Sequence, residues 1–498
     1  MNQGLIQSFK EKFGREYFIY DNSIKFRNDD LFFIVRDNKR KYLIIISKVN
    51  KYNDVDLLKS ENIKSGDESY NIYFAHLSFN NLNILNKIFT YLNPTICNAR
   101  SSFGTGDRLG IVTPAHVMSV RNKKVFPVLA QQSVRELSKT GRTWQDVLND
   151  ACWGIFETGY DKPFGADADH IKRIEDLEIG IKAGFSMLTL DPSDYVRKEI
   201  TEKNKEEIEQ VFKKYKNISG LEQYYIGKKY KFGDYTYEFS IDFLKELVFK
   251  YMDSILFIKD CFDLLKEKKK DGFDLEVSMD EITESVSPLA HLFIVEELIK
   301  NGVNFKNLAL RFIGKWEKAI DYIGDKDSFK KELKVHYEIV KNFKFYKLSL
   351  HSGSDKFSVY PAFSEVTEGN FHIKTAGVSW LEALRVIAKV EPSFFRELFI
   401  FSLKNYEVER ASYEVSAELS NMPDISKMDD AYLPELLNVP DIRQVLHINY
   451  GIILSSKNSD NSYLFKDRLY NILFSDEDEH YNSVSGQINK HLELLKIN

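Results

Sequence analysis

Apolar positions in this chain fall into short runs with two rhythms. Residues 31–35 and 42–47 are β-branched and aromatic stretches on either side of the polar turn Asp37-Asn38-Lys39-Arg40, which predicts a hairpin. With its surroundings it reads as a small α+β module over 1–97, structural or oligomerising in role. From 98 to 395 short strands alternate with helical periods. Residues 273–278 predict a strand, Ser287 and Pro288 start a helix that Asn301-Gly302 ends, and residues 308–312 predict the next strand, a βαβ crossover. Strands predicted at 101–104, 125–130, 185–190, 346–350 and 371–375 bring the number to about seven. That is one short of a (β/α)8 TIM-like barrel. The eighth is sought at 448–454, although 442–447 before it looks helical. A doubly wound open sheet competes, but no strand is followed by a glycine-rich dinucleotide fingerprint. Dense charge at 199–216 and 266–270 reads as solvated surface, and 396–498 as a helical extension packed on the barrel.

Charge narrows the partners. Lys+Arg total 69 against 74 for Asp+Glu, a net charge of −5, whereas nucleic-acid or polybasic membrane binding calls for a cationic excess. Three scattered cysteines, Cys97, Cys152 and Cys261, make neither a disulfide framework nor a four-thiol zinc site. The charged start and the short apolar runs favour a cytoplasmic protein acting on a small molecule.

In a parallel barrel the reactive groups stand at the carboxyl ends of the strands. Those ends offer Asp107, Arg108, Gln131, Gln132, Asp191, Glu276, Arg311, His351, His372 and Lys374. GADADH, residues 165–170, packs two carboxylates and an imidazole together, suited to a divalent cation with an adjacent base. Its plainer reading makes Asp169 the cap of a helix starting at His170. His351 ends an apolar strand in the small polar turn Ser352-Gly353, where a ligand can approach the backbone closely. His372 and Lys374, two apart on a strand, point the same way. Glu276 stands among apolar neighbours and needs a partner, a metal or a proton.

At these residues the chain resembles the tagaturonate epimerase family. The resemblance is carried by SFGTGDRLG (102–110) with TPAH (113–116), GADADHIK (165–172), RFIGKWEKAIDY (311–322), LSLHSGSDKFSVYP (348–361) and FHIKTAGVSWLEALR (371–385). It implies a metal-dependent epimerase of sugar acids, with some relatives acting on neutral ketoses. It further implies His170, His351 and Glu317 as metal ligands, Asp169 as proton acceptor and Glu276 as proton donor. Asp107, Arg108, Arg311 and Lys374 are then expected to bind hydroxyls and carboxylate. Mixed His and carboxylate ligation is open to zinc, manganese, cobalt, nickel or iron. The two sugars differ at a carbon β to the ketone, whose hydrogen is not acidified, so inversion is expected by retro-aldol cleavage and re-addition. A sugar aldolase on the same barrel, or a carbohydrate-binding protein without turnover, are the alternatives.

Overall fold

Eight parallel strands close into a barrel, each paired with its neighbour in sequence and the last with the first. They are β1 (Ser102–Thr105), β2 (Phe126–Ser133), β3 (Gly165–Ile171), β4 (Met187–Leu190), β5 (Asp274–Met279), β6 (Asn307–Leu310), β7 (Lys347–His351) and β8 (Phe371–Thr375). The computed structural model describes residues 2–197, 204–351, 355–375 and 377–498. The turn expected at Ser352-Gly353, and residues 199–203 of the charged stretch, lie outside the described residues.

Local chemistry places the helices where the periodicity put them. Ser287 accepts a hydrogen bond from the Ala290 amide (3.2 Å) and Pro288 opens the helix Pro288–Lys300. Thr143 and Asp146 form a reciprocal capping box at the start of Trp144–Thr158. After β4 the crossover is enlarged by a two-stranded hairpin (Lys229–Phe232 with Tyr235–Glu238) and a 28-residue helix, Ile241–Lys268.

The eighth strand corrects the sequence reading. Residues 448–454 are helical, within Pro440–Ile448 and Tyr450–Ser455. The missing strand is β3, in GADADHI, which has no apolar run and yet is buried at every position. Its polar side chains make hydrogen bonds inside the barrel: Asp167 accepts from Gln131 Nε2 (2.7 Å) and Thr189 Oγ (2.9 Å). Asp169 therefore caps no helix; the next one, Ile174–Ala183, has Arg173 at its cap.

The N-terminal hairpin pairs Leu31 with Ile46 and Val35 with Tyr42, and Asp37 folds its turn by accepting from the Lys39 and Arg40 amides (2.7 and 2.9 Å). Both faces of its sheet are covered, which explains the unbroken apolar runs. Leu31, Phe33, Val35 and Phe74 pack on Leu5, Phe9 and Phe13 of the helix Asn2–Phe13. Phe32, Ile34, Leu43 and Ile45 turn the other way and join the barrel core with Phe89 and Phe156. The C-terminal helices build a further apolar cluster around Trp380, Leu384, Leu398 and Leu446. No helix among the described residues is long and apolar enough to cross a membrane.

Candidate active site

The site grows out of an irregularity in β3. Leu188 of β4 pairs with Ala168 and Leu190 with Ile171, so Asp169 and His170 together oppose one residue, Thr189. His170 carries this bulge in the left-handed region, φ 51°. A non-glycine residue there costs about 1–2 kcal/mol. In a regular strand Asp169 and His170 would face opposite sides. The bulge lets both serve the mouth of the barrel, the aspartate fully buried and the histidine nearly so.

On β5, alternation sends Glu276 and Ser278 to one side, and Asp280, just past the strand, accepts from Ser278 Oγ. His351, at the end of β7, sits between the two acids. Its Nε2 bonds to Glu276 Oε1, and its Nδ1 lies 3.1 Å from Asp280 Oδ1. His170 is held in the same manner, with Nδ1 donating to Asp191 Oδ2 (2.9 Å). The two rings meet edge to face, centroids 5.3 Å apart. Ligand atoms of His170, Asp280 and His351 lie within 4.8 Å of one another, and so do those of His170, Asp191 and Glu281. The first set fits a divalent cation better: Asp191 and Glu276 then remain as carboxylates behind each imidazole, the usual support of a metal-bound histidine.

The charges fit this arrangement. Burial would lower the His351 pKa, but Asp280 and Glu276 carry it up to about 10. Burial would raise Glu276, and His351 together with His372 and Lys374 instead brings it to about 2. Asp280 is held well below its ordinary value by His351 against the same burial. Asp167, deeper in the barrel, is pushed up to about 7 by burial and by the charges of Asp169 and Glu276. Beside the histidines, Lys374 Nζ of β8 donates to Asp169 Oδ1 (2.5 Å) and lies 3.4 Å from His351 Nδ1. Asp169, His170 and Lys374 line a narrow recess of about 40 Å³ with Arg108, Lys318 and Tyr413. Beyond it a cavity of about 800 Å³ is lined by Asp280, Glu281, His351, Arg135, Lys318 and Glu414 among others.

Several expected residues are engaged by other groups of the protein. The Glu317 carboxylate accepts from Ser416 Oγ and Gln444 Nε2 (2.5 and 2.9 Å), and belongs to neither ligand set among the described residues. Its loop after β6 is tied to the C-terminal region, and Asp280 is the carboxylate that lies beside both histidines. Asp107 spends its carboxylate on the amides of Leu109, Gly110 and Val112 (3.0, 2.7 and 2.7 Å), shaping the loop after β1. Arg108 is paired with Glu136 (2.8 Å) and stacked on Tyr450, and Arg311 is bound by both oxygens of Glu414 (2.9 Å each). Glu276 is bonded to His351, which with His372 and Lys374 lowers its pKa to about 2. His372 sits a layer deeper, its Nδ1 on Ser102 Oγ (2.9 Å). Asp280 and Glu281 were missed, although continuing the alternation of β5 past Ser278 reaches Asp280.

Over its whole length the chain is similar to known proteins. The tagaturonate epimerase family model matches residues 20–495. The tagaturonate/fructuronate epimerase of Thermotoga maritima is 43% identical over 495 residues, 99% of this chain and 100% of that protein. The crystal structure of fructuronate-tagaturonate epimerase UxaE from Cohnella laeviribosi with one glycerol superposes with a TM-score of 0.90 at 34% identity, covering 99% of each chain. Its native crystal structure gives a TM-score of 0.89 over 100% of this chain and 99% of that one. With the motifs in place and the likeness running from end to end, the chain belongs to the tagaturonate epimerase family.

Proposed function

We propose that the protein interconverts tagaturonate and fructuronate by opening and resealing a carbon–carbon bond, and that it depends on a divalent cation held by His170, Asp280 and His351. The observation that carries this reading is the meeting of those three residues beside the Asp169–Lys374 pair at the mouth of the barrel. A cation bound there supplies an electrophile that withdraws charge from substrate oxygens.

The remaining steps belong to the chain's own groups. Asp169 is the base: it takes the proton of the hydroxyl on the carbon to be inverted. As that carbon becomes an aldehyde, its bond to the neighbouring carbon breaks, and the electron pair passes to the ketone-bearing fragment as an enolate. Lys374, already 2.5 Å from Asp169, holds the base in place and offers positive charge to the developing oxyanion. Rotation turns the aldehyde over, the enolate carbon attacks its other face, and Asp169 returns the proton. Glu276 and Asp191 act as positioning residues that orient the two imidazoles.

Conversion of tagaturonate in D2O tests the scheme. Cleavage and re-addition leave the hydrogen on the inverted carbon in place, so NMR of fructuronate should show no deuterium there. Deuterium at that carbon would replace the scheme with direct deprotonation. A protein stripped by chelator that epimerises at full rate would remove the cation from it.

A further inference from the structure

We infer that Lys318 is the carboxylate anchor of the site and the residue that makes it prefer a sugar acid to a neutral ketose; this rests on the epimerisation proposed above. Six cationic side chains line the recess and the cavity: Arg108, Arg135, Lys172, Arg311, Lys318 and Lys374. Five are engaged by protein carboxylates. Arg108 is held by Glu136, Arg135 by Glu281 (2.8 Å), Arg311 by Glu414, Lys374 by Asp169, and Lys172 by Asp191 and Asp194 (3.5 and 3.4 Å). Lys318 Nζ has no hydrogen bond or ion pair among the described residues, although it lines both spaces. An ammonium in so enclosed a place wants a direct anionic partner, and Glu281 and Asp280 act on it only at a distance.

The backbone around Lys318 is fixed as a mounting would be. Its own amide donates to the Glu414 carbonyl (3.1 Å). On one side Lys356 Nζ donates to the Glu317 carbonyl (2.7 Å). On the other, Arg443 Nε donates to the carbonyl of Ala319 (2.8 Å), a non-glycine residue at φ 65°. Three ties and one left-handed residue hold the loop, and the side chain they present is the unpaired cation.

The substrate's chemistry suits that position. The uronate carboxylate is two bonds from the carbon that inverts. Lys318 shares the recess with Asp169, the base that acts on that carbon's hydroxyl, and the cavity with His351 and Asp280. A carboxylate held by Lys318 therefore leaves the reacting hydroxyl at the base. When the bond opens, the carboxylate stays with the aldehyde, so the same contact keeps that fragment from leaving while it turns over. A neutral ketose offers only a hydroxyl and leaves the ammonium unpaired.

Steady-state kinetics on tagaturonate with K318M and K318R, both metal-loaded, test the assignment. K318M should raise KM about 10–100-fold, the range of a lost charged hydrogen bond, and K318R should recover most of it. A KM within twofold of the parent in K318M, or a fall in kcat with KM unmoved, overturns the assignment and leaves the epimerase reading standing. Inactivity of the unsubstituted protein on tagaturonate overturns that reading, and this assignment with it.

Discussion

His351 lies between Glu276 and Asp280, and the fate of its proton governs how the site takes up a cation. With its pKa carried up to about 10, the metal-free imidazole is charged at neutral pH and must lose that proton to become a ligand. Cation affinity should accordingly rise about tenfold per pH unit for each proton displaced between pH 6 and 9. Calorimetry in buffers of different ionisation enthalpy reads both the slope and the protons released; an affinity flat over that range would contradict the charge state. Asp280→Ala should lose stoichiometric metal by elemental analysis while Glu317→Ala keeps it. Asp191→Asn and Glu276→Gln should weaken binding about 10–100-fold. Asp169, His170 and His351 could be singled out in the sequence because GADADH packs two acids and an imidazole into six residues and His351 ends an apolar strand. Glu317 has the chemistry of a ligand, and the path of its loop, set by contacts with residues 414–444, puts its carboxylate on Ser416 and Gln444.

At the scale of elements, the terminal helix Glu477–Leu494 is joined to the loop after β7 through one buried carboxylate. Asp355 accepts from Arg443 Nη2, from Gln487 Nε2 (2.7 Å) and from His491 Nε2 (2.8 Å). Asp355→Ala would leave the buried Arg443 unpaired and should cost about 3–5 kcal/mol, read as a lower denaturation midpoint. A loss under 1 kcal/mol would mean that water replaces the carboxylate. Seven strands could be read from their apolar runs because barrel strands are buried on both faces. β3 could not, since Asp167, Asp169 and His170 supply the interior with hydrogen bonds instead of hydrocarbon. Residues 448–454, rich in Ile and Leu and lying mostly in the helix Tyr450–Ser455, borrowed the look of a strand for the opposite reason.

At the scale of the whole molecule, burial of uncharged histidines sets its tolerance of acid. Burial depresses His116 and His480 to about 4 and His336 to about 3, and His291 and His447 well below their ordinary value. Below pH 6.5 the unfolded chain binds protons at these positions and the folded chain does not, so stability is full above 6.5 and falls as pH drops toward 4. Each histidine removes roughly 1.4 kcal/mol by pH 5.5. His170 and His351, raised by their acids, are already protonated in that window in the metal-free chain, and their contribution stays constant. The melting temperature of the metal-free protein should drop steeply between pH 6.5 and 5. A flat profile would show those rings to be charged in the native state.

The left-handed kink at His170 bears on any attempt to move this chemistry to another scaffold. Copying the side chains onto a regular eight-stranded framework would send one imidazole outward into the surrounding helices. The extra residue and its unusual torsion must be transplanted along with the donors. Shortening β3 by one position to tidy its pairing would dismantle the proposed metal cradle without altering a single one of its side chains.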